Sequence, residues 1–187
     1  MLGNLDYLLN TVQLPSQNGE RMKDITTKDL GVMNIGEGLY SWFMTNLSPG
    51  STILELGSGL GTQLLSETFN MISIEHDKKF MNLYNSHYIL SPIKEVRKGL
   101  KWYDPDIVKN SIKDLEYDLF FVDGPQNSRY TRKGILYFLN LFNTKVPFVF
   151  DDCQTANVRE LAEKVSEKLD KKIQFKQDGK KYFAIVS

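Results

Sequence analysis

Apolar residues in this chain fall into short uninterrupted runs, separated by longer segments in which they recur at helical spacing. Residues 52–56, 71–74, 87–90, 117–122 and 146–150 are such runs, each too short for a helix and each bounded by glycine, proline or an acid. That pattern predicts five buried strands, Tyr117 to Val122 being the clearest. Between them, helices are expected over residues 39–44, 62–67 and 78–84, after Pro105, over 130–143 and over 158–169. In the last, Val158, Leu161, Ala162, Val165 and Leu169 make one apolar face. Residues 101–105 read as a loop. Asp178-Gly179 between two further apolar runs is a hairpin signal. At the start, Leu2, Leu5, Leu8, Leu9 and Val12 suggest a short amphipathic helix ended by Pro15. Residues 16–29 then form a polar arm, either a lid over a site or a loose extension.

Strand and helix alternate five times, which predicts an α/β fold with a mainly parallel sheet covered on both faces, closed by an antiparallel hairpin. At 187 residues the chain is expected to be one domain over residues 31–187, preceded by the helix and arm of residues 1–30. The 23 basic and 23 acidic residues cancel, so overall charge gives no case for nucleic acid or for an anionic membrane. No apolar run approaches the roughly 20 residues that span a bilayer. The first residues lack a secretory leader pattern, and the single Cys153 excludes an internal disulfide. The expected setting is cytoplasmic.

Chemistry concentrates after the first strand. Glu55-Leu56-Gly57-Ser58-Gly59-Leu60-Gly61 runs from a strand through a glycine turn into a helix, the arrangement of a cofactor-binding loop. An ordinary tight turn between strand and helix is the plain alternative. The glycines are spaced G-x-G-x-G, one residue short of the dinucleotide fingerprint. Glu75 ends the next strand, 18 residues beyond Gly57, where a carboxylate can accept bonds from both hydroxyls of a ribose. A nucleoside-containing cofactor is indicated, and the glycine spacing disfavours NAD.

With Ile74-Glu75 and the closing hairpin, this loop resembles the first motif of the class I S-adenosylmethionine-dependent methyltransferases. The resemblance covers roughly residues 31–187 and implies a Rossmann-like three-layer sandwich with a seven-stranded sheet. It also implies that Met33, Glu55, Gly57, Ser58, Gly59, Glu75 and Asp123 serve cofactor binding, with Glu75 on the ribose. Residues 91–93 would flank the adenine.

The strand ends carry Asp123 and the pair Asp151-Asp152. Carboxylates converging there need a cation or donors to compensate them, and oxygen-rich clusters suit Mg²⁺. Turn closure by Asp123 and helix capping by the other two are the plain alternatives. Met33-Asn34-Ile35-Gly36, Glu75, Asp123, Arg129-Tyr130 and Asp151-Asp152 are similar to the small catechol-type metal-dependent O-methyltransferases. That resemblance implies a metal site at Asp123, Asp151 and Asp152. The chain departs from it in having Asp152 where the pattern has Asn, and in lacking a base lysine over residues 124–128.

Arg129, Arg132 and Lys133 form a basic cluster that either meets an anionic ligand or is a solvated loop. Trp102 and Tyr103 are either an aromatic pocket wall or core. The function expected is methyl transfer from S-adenosylmethionine to a small-molecule acceptor, most simply at oxygen. Asp123, Asp151 and Asp152 are the candidates for catalysis, and Trp102, Tyr103 and Arg129 for the substrate. Two alternatives stay open: a cofactor-binding or scaffold subunit without turnover, and an aminopropyl transferase on the same fold.

Overall fold

The computed structural model describes residues 12–13, 24–25, 35–125 and 132–187. Most of the expected N-terminal helix and arm lies outside these residues. Val12–Gln13 (β1) pairs antiparallel with Asp24–Ile25 (β2), so Val12, expected within a helix, is in a strand.

The remaining strands are β3 (Thr52–Leu56), β4 (Asn70–Glu75), β5 (His87–Leu90), β6 (Ile93–Arg97), β7 (Leu100–Tyr103), β8 (Leu119–Val122), β9 (Phe148–Phe150), β10 (Ile173–Asp178) and β11 (Lys181–Val186). Seven of them form one sheet in the order β10-β11-β9-β8-β3-β4-β5. The pairs β3–β4, β3–β8, β4–β5 and β8–β9 are parallel; β11 runs antiparallel to both β9 and β10. This is the mainly parallel, seven-stranded Rossmann-like sheet with a terminal antiparallel hairpin that the sequence predicts.

Two apolar layers explain why the central strands read as continuous apolar runs. Ile53, Leu119, Phe121, Val149 and Ile185 face helices α1 (Glu37–Asn46) and α2 (Leu60–Ser66) through Leu39, Phe43, Leu64 and Leu65. Their neighbours Leu54, Leu56, Phe120, Val122, Phe148 and Phe150 face the opposite layer. That layer is built on α3 (Pro105–Ile112), the short α4 (Ile135–Phe138) and α5 (Ala156–Leu169). Each side chain buried this completely contributes about 1.5–3 kcal/mol relative to exposure.

Three expected elements differ. Only Lys78–Phe80 of residues 78–84 is helical, as one 3₁₀ turn; Asn82 then takes a φ of 58°, which no helix can carry. Residues 101–105 are not a loop, because β6 and β7 form an antiparallel hairpin turning at Gly99. The helix expected over 130–143 is broken, among the described residues, into the 3₁₀ turn Arg132–Gly134, α4 and the 3₁₀ turn Leu139–Leu141. Trp102 wedges beneath this segment, stacked on Phe138 with ring centroids 5.1 Å apart. A Cβ on Gly134 would overlap its indole. Among the described residues no helix is long and apolar enough to cross a membrane.

Candidate functional site

At the end of β3 the chain turns through Gly57 at φ 90°, a conformation open to glycine and costly for other residues. The turn brings Gly57 against the loop that follows β8. A Cβ on Gly57 would stand 3.0 Å from Gly124 Cα, and one on Gly124 would stand 2.7 Å from Gly57 Cα. Two backbones therefore meet with nothing between them. Gly59 differs: it is extended at φ −172°, and a Cβ there meets no protein atom within 4 Å.

The loop is braced from behind. Gly59 N–H donates to Thr62 Oγ1 at 3.0 Å, and Thr62 Oγ1 donates to Glu55 Oε1 at 2.7 Å. Ser73 Oγ donates to the same carboxyl oxygen. Glu55 is 2% exposed, and burial pushes its carboxyl up to about 8. It stands behind the loop and is absent from the residues lining the cleft in front.

Glu75 ends β4 and is buried at the cleft's inner edge. Its Oε2 accepts Ser58 N–H at 3.0 Å; its Oε1 accepts the backbone N–H groups of His76 and Asp77 at 2.6 and 2.7 Å. His76 Nδ1 lies 2.8 Å from Oε1. Glu75 thus ties the glycine loop to the loop after the next strand.

The cleft, of about 360 Å³, lies beyond the carboxyl ends of β3, β4, β8 and β9, where open α/β sheets bind ligands. Gly57, Ser58 and Gly59 line one side, with Glu75, His76 and Asp77 beside them; Phe80, Tyr84 and Tyr103 are its aromatic members. Asp123, Asp151, Asp152 and Lys181 complete the wall.

The strand-end carboxylates do converge. Asp123 N–H still bonds Leu56 O at 3.1 Å and Asp151 N–H bonds Val122 O at 3.2 Å, so the sheet ladder itself delivers them. Helix capping does not explain them, since the N-cap residue of α5 is Thr155 and no side chain caps the helix. Asp152 sits at φ 62°, rare for a residue with a side chain. Its backbone N–H donates to Asp151 Oδ1 at 2.7 Å.

Arg132, expected only as part of a basic cluster, joins the acids, a pairing the sequence did not suggest. It is 8% exposed, and its Nη2 reaches Asp152 Oδ2 at 2.9 Å and Asp123 Oδ1 at 3.3 Å. Its Nη1 donates to Asp151 O at 3.0 Å. Lys181, at the start of β11, places Nζ 3.7 Å from Asp151 Oδ2 and 3.6 Å from Asp152 Oδ1. Burial pushes the Asp151 carboxyl up to about 7, reinforced by Asp123 and Asp152. Burial also raises Asp123, against the pull of Arg132. At Asp152 burial acts the same way, but Arg132 and Lys181 outweigh it and hold the carboxyl below its ordinary range.

Of the expected substrate residues, Trp102 and Tyr103 are both fully buried in the core, and of the two Tyr103 borders the cleft. Met33 and Arg129 lie outside the described residues. Ser91, placed near an adenine by resemblance, is fully buried and does not line the cleft. A basic cluster at residues 129–133 was the only sequence signal for Arg132, and nothing in the spacing pointed to Lys181.

No protein-family profile matches the chain, and no curated protein matches it in sequence. Solved structures do match, and they are methyltransferases. The METTL16 methyltransferase domain aligns at 14% identity and TM-score 0.53, covering 79% of this chain and 65% of that one. The MycE methyltransferase of the mycinamycin biosynthetic pathway, solved with Mg, SAH (S-adenosylhomocysteine) and mycinamycin VI, aligns at 12% identity and TM-score 0.51. It covers 80% of this chain and 48% of MycE. A methyltransferase from Pyrococcus furiosus aligns at 17% identity and TM-score 0.49, with 80% of each chain covered. The fold is that of the Rossmann-like methyltransferases.

Proposed function

We propose that this chain is an S-adenosylmethionine-dependent methyltransferase acting on a small-molecule acceptor at oxygen, in the cytoplasm. The observation that carries the reading is a single cleft with the Gly57–Gly59 loop and Glu75 on one side and the strand-end acids on the other.

The donor end fits the cofactor. The space in front of Gly59 is open to a ligand, and a side chain there would project into it. A carboxylate offers about four acceptor positions. Glu75 Oε2 takes one backbone bond, from Ser58, which leaves capacity for a ribose hydroxyl. S-adenosylmethionine supplies a methyl group on a sulfonium and leaves as the neutral thioether once that methyl–sulfur bond breaks and the oxygen–methyl bond forms.

The residues opposite then have separate tasks. Asp151 accepts the acceptor's hydroxyl proton, because a carboxyl near 7 is matched to proton transfer at neutral pH. Asp152, held ionised by Arg132 and Lys181, fixes the charge around it. Tyr103 and Asp123 bound the space in which the acceptor oxygen lines up with the methyl group, and most of the acceleration comes from that alignment.

Calorimetric titration tests the donor half. Saturable one-to-one binding of S-adenosylmethionine is expected, tighter than that of its decarboxylated form. Well-folded protein that binds neither at millimolar concentration would sink the reading; a preference for the decarboxylated form would move it to aminopropyl transfer.

A further inference from the structure

Asp123, Asp151 and Asp152 each present an oxygen within 4.8 Å of the others. Hard divalent ions take six or more oxygens at about 2.0–2.6 Å, so acids this close are natural ligands when nothing else neutralises them. Here two cations of the chain already offset two of the three charges. One nitrogen of Arg132 bridges Asp123 and Asp152, the other is anchored on the Asp151 carbonyl, and the guanidinium is buried. The segment carrying it is fixed as well, because Gly134 packs directly on the Trp102 indole. Lys181 faces the outer oxygens of Asp151 and Asp152. One oxygen of Asp151 is further engaged by the Asp152 backbone N–H.

An incoming Mg²⁺ would have to sit beside a buried guanidinium that cannot lose its proton, where the two positive charges repel. The donor set therefore does not fit the metal that the catechol-type resemblance implies. We infer that Arg132, backed by Lys181, occupies the place of the divalent ion, and that this site binds no divalent metal. The inference rests on the methyl-transfer reading for its catalytic meaning, since the guanidinium is then the fixed positive charge beside the acceptor oxygen. Its binding test stands apart from that reading.

The full-length protein, stripped with a chelator, is titrated with Mg²⁺ by calorimetry and with Mn²⁺ by electron paramagnetic resonance. Wild-type protein is expected to show no saturable site for either ion at millimolar concentration, and no change in melting temperature. Arg132→Gln, which keeps the three acids and removes the bridging charge, is expected to gain a one-to-one site at least about tenfold tighter than the millimolar limit at which wild type shows none. Saturable wild-type binding that disappears in Asp152→Ala overturns the inference. A folded Arg132→Gln protein with no gain overturns the role given to the arginine. Should that variant fail to fold, Lys181→Gln replaces it, with a gain expected in the same direction and its absence counting against the pair. S-adenosylmethionine is titrated into the same samples. Loss of cofactor binding without metal binding removes the methyl-transfer reading and leaves this inference intact; metal binding beside normal cofactor binding does the reverse.

Discussion

Asp178, in the last hairpin, caps helix α1 by accepting the backbone N–H of Gly38, 140 residues earlier, at 2.9 Å and that of Leu39 at 3.0 Å. The residue preceding that helix is Gly36, which has no side chain to offer. A carboxylate borrowed from β10 therefore satisfies two of the orphan donors and meets the positive end of the helix dipole. It also locks the edge of the sheet to the layer beneath the glycine loop. Asp178→Ala is expected to destabilise the fold by about 0.5–2 kcal/mol in urea unfolding. Asp178→Asn should retain part of this, since its carbonyl oxygen still accepts. An unchanged urea midpoint in the alanine variant would show that the cap contributes nothing.

The contact between Gly57 and Gly124 separates two roles for glycine in the site. Gly124→Ala places a methyl 2.7 Å from both Gly57 Cα and Tyr103 Oη, so the loops after β3 and β8 must part. Loss of S-adenosylmethionine binding by at least about tenfold, with a lowered melting temperature, is expected. Gly59→Ala meets no protein atom and keeps an extended φ, so its melting temperature should match wild type. Any loss of cofactor affinity in that variant then reports the ligand itself. Equal destabilisation by the two substitutions would contradict this division.

What the sequence made legible follows from which interactions are local. β8 is recognisable because all four residues are buried, so the run from Leu119 to Val122 has no polar interruption. The glycine loop and Glu75 are recognisable because turn chemistry and strand ends are set by neighbouring residues. The β6–β7 hairpin is not, because Lys94, Glu95, Arg97 and Lys101 point to solvent and dilute its apolar positions. The same limit hides the partners of the acids. Arg132 and Lys181 stand 20 and 29 residues from Asp152 in sequence, and only the fold brings the three together. Asp178 as a remote cap belongs to the same class. Local pattern therefore sufficed to find the glycine loop, Glu75 and the acids that line the cleft, but not what offsets the acids' charge.

Glu55 predicts a pH dependence of stability. Its folded carboxyl sits near 8, above the ordinary 4.5, because burial disfavours the charged form. The folded state therefore holds the proton more tightly than the unfolded state does. The contribution is fully present below about 4.5 and is lost as pH rises through about 8. Melting temperature should decline across that window. Glu55→Gln keeps an oxygen for Thr62 and carries no charge, so its decline should be shallower, with the remainder due to Asp151 and Asp123. Parallel wild-type and variant curves would place the titration elsewhere.

Asp151 predicts a pH dependence of activity with the opposite sense. A base must be deprotonated to accept the acceptor's proton, and the Asp151 carboxyl is raised to about 7. Turnover should therefore be low at acid pH and rise to a plateau above neutrality. Asp151→Asn should lower kcat by about 10²–10⁴-fold, the range for loss of a general base, while S-adenosylmethionine affinity changes little, because the proposed reading gives the donor to Glu75 and the glycine loop. Asp152→Asn is the control. Asp152 is ionised well below neutrality through Arg132 and Lys181, and its charge helps to raise Asp151, so its variant should keep an inflection but move it to lower pH, even if kcat falls. An Asp151→Asn enzyme with wild-type kcat and an intact inflection would assign proton removal to another group.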